Sequence, residues 1–340
     1  MAYRIESVAG DAGEKRAIAA FLAAFVRDGE LPFPRPGDDD PAVWERRMGG
    51  WWDGNPHCRE DSPKGFRLEH DEAGLVGFSG YIPFDYEVDG VAVPTMVSTT
   101  LFVREGHRGA VMGLFAKQRA FAKTHQIIDG SPSPEVRRLL EKFGYPYAGD
   151  RSQYFFPTRR FGGGFARALL RGIGWSFPLP SSDEAAGCRL VSDPADWDGF
   201  RVPHDGRIHR HGGRATMEWL LRTGAERRSF HGLIDTEGTP LACALGVHRR
   251  RGGWKTCFLL DYRDHHPGSA GLGLLLRKLL DDPAALPLGT AGLVLTRFGS
   301  STLHGVAGRR VESNLYYHLP PPWQHRQKAC LPVEGDLILI

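Results

Sequence analysis

Apolar and polar residues alternate with a period of two over residues 3–8, and the period lengthens to that of a helix over residues 13–27, where Ile18, Phe21, Leu22 and Phe25 share one face. Leu31–Pro41 is rich in Pro, Asp and Gly and reads as a loop. Asp40-Pro41 then opens a short helix, with Asp40 as N-cap and Pro41 at its first position. That helix carries Trp44, Trp51 and Trp52 and stops at Asp53-Gly-Asn-Pro56. Phe66–His70 and Leu75–Ile82 form a hairpin around Asp71–Gly74, and Tyr86–Val93 forms another that turns at Asp89-Gly90. A strand over Thr95–Val103, a helix over Leu114–Lys123, a strand over Ile127–Ser131 and a helix from Pro134 through Lys142 follow, and Ser152–Phe156 closes the unit as a last strand.

Residues 158–183 read as a linker, with a glycine run at Phe161–Gly164 and a short amphipathic helix at Ala166–Ile173. The pattern then repeats. Cys188–Val191 is a strand, and Arg214–Leu221 is a helix whose Trp219 takes the place of the first half's tryptophans. Strands Ser229–Asp235, Leu241–Arg249 and Trp254–Tyr262, helix Leu274–Leu280, strand Gly292–Arg297, a short helix at Leu303–Ala307 and strands Asn314–His318 and Leu337–Ile340 complete it. The fold class is α/β (α+β): two lobes, 1–157 and 184–340, each a mixed, mostly antiparallel sheet flanked by helices.

The most informative stretch is Val103-Arg-Glu-Gly-His-Arg-Gly-Ala-Val-Met-Gly-Leu114. A strand that breaks at Gly106 and re-enters as a helix near Gly109 leaves backbone N–H groups open at the helix start, which suits an anion such as a phosphate. Gly109 and Gly113 remove side chains where a pyrophosphate approaches the backbone, and Arg108 adds a forked cation.

This stretch resembles the acyl-CoA-binding motif of the GNAT superfamily of N-acetyltransferases, in which a strand ending in Val leads into Arg/Gln-x-x-Gly-x-Gly/Ala. Val103, Arg108 and Gly113 match, while Val111 stands where the family prefers its first glycine. Gly74–Pro83 is similar to the family's paired central strands, and Glu141-Lys-Phe-Gly-Tyr145 to its Glu-Lys-x-Gly-Phe helix end. The second lobe offers only Gly271-Leu-Gly273, with Gly268 where Arg is expected.

The resemblance implies acyl transfer from acetyl-CoA, or another acyl-CoA, directly to an amine of a small-molecule or sugar-like acceptor. It implies backbone N–H groups near Phe102 and Val103 that polarise the thioester, and amides of Arg108, Gly109, Ala110, Val111, Met112 and Gly113 around the pyrophosphate. The acid and base are less legible. Leu140 stands where the family often carries a general-acid tyrosine, and Tyr145 is either that acid or a packing aromatic. Asp85 and Glu87 are candidates to face an acceptor amine. In the second lobe Asp261 pairs with His304 as a catalytic candidate. The tryptophans of residues 44–52 either pack the core or wall the acceptor site.

Composition narrows the alternatives. With 41% hydrophobic and 24% charged residues the chain is globular, and a net charge of +3 points to no nucleic-acid partner. No long apolar run and no leader pattern are evident, so a cytoplasmic protein without membrane contact, monomeric or homodimeric, is expected. The five cysteines lack Cys-x-x-Cys spacing, and Asp264-His265-His266 is a poor ligand run because neighbouring histidines point apart; no metal is expected. Two other readings stay open: a non-catalytic acyl-CoA-binding module, and an aminoacyl transferase that uses charged tRNA.

Overall fold

The strand order of the first half of the chain recurs in the second. The computed structural model describes residues 2–31, 34–130, 132–149, 151–158, 179–224, 226–251, 253–265, 270–282, 284–298, 309–311 and 315–328. The glycine run at 161–164, the expected helices at 166–173 and 303–307, Gly268, His304 and the expected strand at 337–340 lie outside the described residues.

The first sheet runs β1 (Tyr3–Ser7), β2 (Gly65–His70), β3 (Gly74–Val88), β4 (Val91–Val103), β5 (Gln126–Asp129) and β14 (Tyr316–His318). Neighbours are antiparallel except β4 and β5, which are parallel and joined by the crossover helix α3 (Val111–Phe121). The second sheet runs β7 (Arg189–Val191), β9 (Arg227–Ile234), β10 (Pro240–Arg251), β11 (Trp254–Asp264), β12 (Thr290–Phe298), β6 (Arg151–Pro157) and β13 (Arg309–Val311). Its one parallel pair is β11 with β12, joined by α7 (Ala270–Asp281). A parallel pair needs a crossover, and a helix supplies it in both lobes.

Three expectations are corrected here. The second hairpin is longer than expected and shares a strand with the first, because β3 runs through Pro83, which pairs with Met96, as far as Val88. Its turn, Asp89-Gly90, has φ 50° and 83°, the left-handed pair that a two-residue hairpin turn requires. Residues 151–157 do not close the first lobe: β6 pairs with β12 of the second sheet, Leu293 opposite Phe156. In return β14, from the end of the second lobe, pairs with β5 of the first sheet, Tyr317 opposite Ile128. Each lobe thus fills the sixth position of the other's sheet. Sequence order hides this, because a strand's partner is set by which open edge its preceding loop reaches.

Among the described residues there are five further α-helices: α1 (Ala12–Arg27), α2 (Pro41–Met48), α4 (Pro134–Lys142), α5 (Ser182–Ala186) and α6 (Arg214–Arg222). Asp11 caps α1 at the N–H groups of Gly13 and Glu14, and Asp40 caps α2 at Ala42 with Pro41 in the first turn. Helices α1, α2 and α6 enclose one core that both lobes share. It holds Trp44, Trp51 and Trp52 from the first half with Trp197, Trp219 and Phe230 from the second. Trp51 is fully buried, so these tryptophans are core and not an open wall. Among the indole N–H groups, Trp52 donates to the Tyr81 carbonyl, and Trp219 donates across the lobes to that of Gly50 at 2.7 Å. A second core lies beneath α3 and α4, and a third beneath α7. Among the described residues no helix is long and apolar enough to cross a membrane.

Candidate active site

Strands β4 and β5 stay paired from Thr95–Gln126 to Ser98–Asp129. Beyond that point β5 ends, and β4 continues to Val103 with β3 as its neighbour. The β3–β4 register slips here, so that Thr100 and Leu101 together oppose Ser79. This is a β-bulge, and Thr100 in it has φ 47°. A β-branched residue with positive φ is strained, and such strain persists only where its surroundings enforce it. Gly80 makes the room: a Cβ there would stand 2.8 Å from the Thr100 hydroxyl and 3.0 Å from the Phe78 ring. The Thr100 hydroxyl is buried with no hydrogen-bond partner among the described residues. Beyond Ser98–Asp129 the backbone of β4 thus has no ladder partner on its β5 side, next to the bulge.

The turn after β4 differs from the sequence expectation. Glu105–Ala110 is a 3₁₀ helix that runs directly into α3, so the helix begins at Val111 and not near Leu114. The Val111 N–H is bonded to the Arg108 carbonyl, so the donors at the start of α3 are not all open. The ladder-free start of the helical run lies earlier, where the Glu105 N–H donates to the Glu30 carboxylate at 2.8 Å. Arg104 fixes this corner. Its guanidinium donates to Asp28 and Glu30 at 2.5 and 2.6 Å and lies over the Phe25 ring. Arg108 is exposed and Met112 is 46% exposed. A Cβ on Gly109 would meet nothing within 4 Å, so the surface there is open. Gly113 has another role than expected: a Cβ on it would stand 2.5 Å from Ile5 Cδ1, so its missing side chain lets α3 sit against β1.

Of the residues expected to polarise a thioester, Val103 is buried, and Phe102 is half-buried with its ring stacked on Phe25 at 5.0 Å. Tyr145 owes its place to the end of α4. Gly144 is left-handed at φ 74°, the Tyr145 N–H donates to the Leu140 carbonyl, and the Gly144 N–H donates to that of Glu141. That is a Schellman cap, and Leu140 and Tyr145 share one core as such a cap favours. The run Glu141–Tyr145 is therefore a helix stop with a mechanical reason. It delivers the Tyr145 ring to the first sheet, 5.2 Å from the His318 ring on β14. Burial, and then the nearby Asp129 carboxylate, push the Tyr145 phenol up to about 12. Asp129, the last paired residue of β5, was not singled out by the sequence; only its place at the end of a short strand marks it.

The second lobe has the same framework with its openings filled. Strands β11 and β12 pair as far as Leu259–Leu295, and the β10–β11 register slips at Leu260. Asp261 comes next and is buried in an ion pair with Arg210 of β8 (His209–Arg210), a short strand that pairs with β3 of the first sheet. Its expected partner His304 lies outside the described residues. At the start of α7 the Leu272 N–H donates to the Asp264 carboxylate at 2.8 Å, so the protein's own anion occupies that helix end. A Cβ on Gly271 would stand 2.5 Å from the Leu241 carbonyl, so this glycine too serves close packing.

Asp85 and Glu87 face histidines. Asp85 accepts from His57 Nδ1 at 3.1 Å and from Arg59 at 2.9 Å, and Glu87 pairs with His211 at 2.9 Å. The other ring nitrogen of His57 lies 2.8 Å from the Thr216 hydroxyl on α6. Burial holds His57 below its usual value although Asp85 pulls it upward, so the ring is neutral near pH 7. Neither His57 nor Thr216 lies in a sequence pattern that marks it.

No protein-family model and no curated protein sequence matches the chain. Solved structures do. A GCN5-related N-acetyltransferase from Anabaena variabilis superposes with a TM-score of 0.57 at 12% identity, over 92% of this chain and 72% of the other. Eis1 from Mycobacterium abscessus superposes with a TM-score of 0.55 at 12% identity, over 94% and 73%. At this identity the likeness establishes architecture: the chain has the GNAT fold, built twice, with β6 and β14 exchanged between the two sheets.

Proposed function

We propose that the protein is an acyl-CoA-dependent N-acyltransferase that uses acetyl-CoA and acylates the amine of a small-molecule acceptor in its first lobe. The observation that carries this reading is the mouth between β4 and β5, where pairing ends at Ser98–Asp129 and the strained Thr100 bulge follows. The acyl-CoA thioester enters that mouth, and N–H groups of the bulged strand near Phe102 and Val103 polarise its carbonyl. Arg108 and the open backbone at Gly109 meet the pyrophosphate. The filled equivalents in the second lobe, Asp261 with Arg210 and Asp264 at α7, favour the first lobe as the cofactor site.

In the transfer, the acceptor nitrogen attacks the thioester carbon. The C–N bond forms, the C–S bond breaks, the nitrogen loses a proton and the thiolate gains one. Tyr145 is the donor to the thiolate, because its raised phenol stays protonated until the sulfur needs the proton. Asp129, at the same strand end, receives the amine proton directly or through water.

The reading is tested by incubating the full chain with acetyl-CoA and a panel of primary amines while following release of the free CoA thiol. Amine-dependent release with a mass gain of one acetyl group on the amine is the expected result. Binding of acetyl-CoA with no transfer to any amine would favour a non-catalytic module.

A further inference from the structure

We propose that the second lobe holds a zinc-class metal site formed by His231, His248 and Cys257, with Ser229 or a water as fourth ligand.

The four residues come from three adjacent strands. Register puts His248 opposite Cys257 on β10 and β11, and Ser229 opposite Gly246 on β9 and β10, with His231 opposite Ala244 one step along. All four side chains therefore project from the same face of the sheet, the face covered by α7. One nitrogen of each histidine and the Cys257 sulfur lie within 4.8 Å of one another. Ser229 Oγ lies between the imidazoles, 2.7 Å from His231 Nε2 and 2.8 Å from His248 Nε2.

Gly246 is the centre of the arrangement. A Cβ built there would stand 2.8 Å from Cys257 Sγ, 2.8 Å from Ser229 Oγ and 3.1 Å from His231 Nε2. Three polar atoms, two from β9 on one side and one from β11 on the other, thus converge on the space above a residue that has no side chain. Two imidazoles, a thiolate and an oxygen form a donor set that zinc binds tetrahedrally, at roughly 2.0–2.3 Å from N and S. The core on this face of the sheet is mainly leucine, from β11, β12 and α7. Binding would release the Cys257 thiol proton and leave a thiolate–metal bond. His248 is half-buried on a strand that ends at Arg251, which gives the metal a way in.

A bound ion would tie β9, β10 and β11 together and serve the fold of the lobe. The inference stands apart from the acyl-transfer reading, since the site lies in the other lobe and its test does not use activity.

The test uses the full chain, purified without chelator and analysed for metal, then stripped and titrated with Co²⁺. About one zinc per chain, and a thiolate-to-cobalt charge-transfer band with the visible bands of tetrahedral cobalt, are expected. Cys257→Ser should abolish the charge-transfer band. His248→Ala, at the half-buried ligand, should weaken cobalt binding at least tenfold and keeps the test open should the cysteine variant not fold. Cys243→Ser, whose side chain belongs to the shared core on the opposite face, should change neither. A folded wild type with no thiolate–cobalt band, or a Cys257→Ser variant that retains one, would overturn the assignment.

Discussion

The Thr216 hydroxyl on α6 lies 2.8 Å from His57 Nε2, across the junction of the two lobes and 159 residues away in sequence. With Asp85 accepting from Nδ1, the neutral ring has one arrangement that satisfies both neighbours: Nδ1–H donates to Asp85, and Nε2 accepts from Thr216. Thr216 is 2% exposed and His57 4%, so the hydroxyl and the imidazole are buried, while Asp85 is half-buried at the outer end of the hydrogen-bonded chain. It fastens the lobes and does not present a nucleophile.

This fastening makes stability depend on pH. Desolvation lowers the His57 value in the folded state against the opposing pull of Asp85, with Arg210 and His211 as the other neighbours that face it. A histidine with a depressed folded value binds fewer protons folded than unfolded, so its contribution is present above about pH 6.5 and is lost as pH falls through that value. Burial also depresses His125, His265 and His318. Urea unfolding should therefore show stability falling from about pH 7.5 to about pH 5.5, with a smaller slope in His57→Gln. Stability that rises toward acid would contradict this role.

The Arg210–Asp261 pair links β8, on the first sheet, to β11 of the second, with both side chains almost fully buried. Removing one partner leaves a buried charge, so Asp261→Asn or Arg210→Met should each cost about 3–5 kcal/mol, whereas Arg210→Met with Asp261→Leu should cost much less. A double-mutant cycle by chemical denaturation reads this directly. Asp261→Asn should keep acyl-transfer activity per folded molecule if the first lobe holds the chemistry; loss of turnover with the fold intact would return Asp261 to the reaction.

Much of this architecture was legible in the sequence. The alternation over residues 3–8, the Asp40-Pro41 helix start and the Asp89-Gly90 turn are local signals, and each appears where its chemistry calls for it. The doubled order of elements showed through Trp219 and Gly271-Leu-Gly273. The exchange of β6 and β14 was not legible, because strand partners depend on distant edges and not on local periodicity. The Asp85–His57–Thr216 chain was missed for the same reason: its members come from separate parts of the chain. Gly113 looked like room for a phosphate because sequence spacing cannot show Ile5 behind it.

The exchanged strands should make the two lobes unfold as one. Each sheet lacks its sixth strand unless the other lobe is folded beside it, and the core around Trp44, Trp51, Trp197 and Trp219 is shared. Tryptophan fluorescence and far-UV circular dichroism should give superimposable urea transitions. Two separated transitions would show that the lobes are independent.

Tyr145→Phe should keep the ring, its contact with His318 and the helix cap, and remove only the hydroxyl. If the phenol protonates the departing thiolate, kcat should fall about 10²-fold or more while unfolding and the affinity for acetyl-CoA stay unchanged. Unchanged turnover would leave Tyr145 as a packing aromatic.

In the proposed reaction the first lobe's turn receives the acyl-CoA. Gly109 allows a clean test, since its Cβ direction is empty, whereas a large residue at Gly113 would strike Ile5 and disturb the fold. Calorimetric titration with acetyl-CoA of the wild type and of Gly109→Trp is the measurement to make. Saturable binding by the wild type, weakened at least tenfold in a Gly109→Trp variant of unchanged stability, is the predicted result. A well-folded wild type that does not bind acetyl-CoA, or a Gly109→Trp variant that binds it as tightly as wild type, would contradict the account.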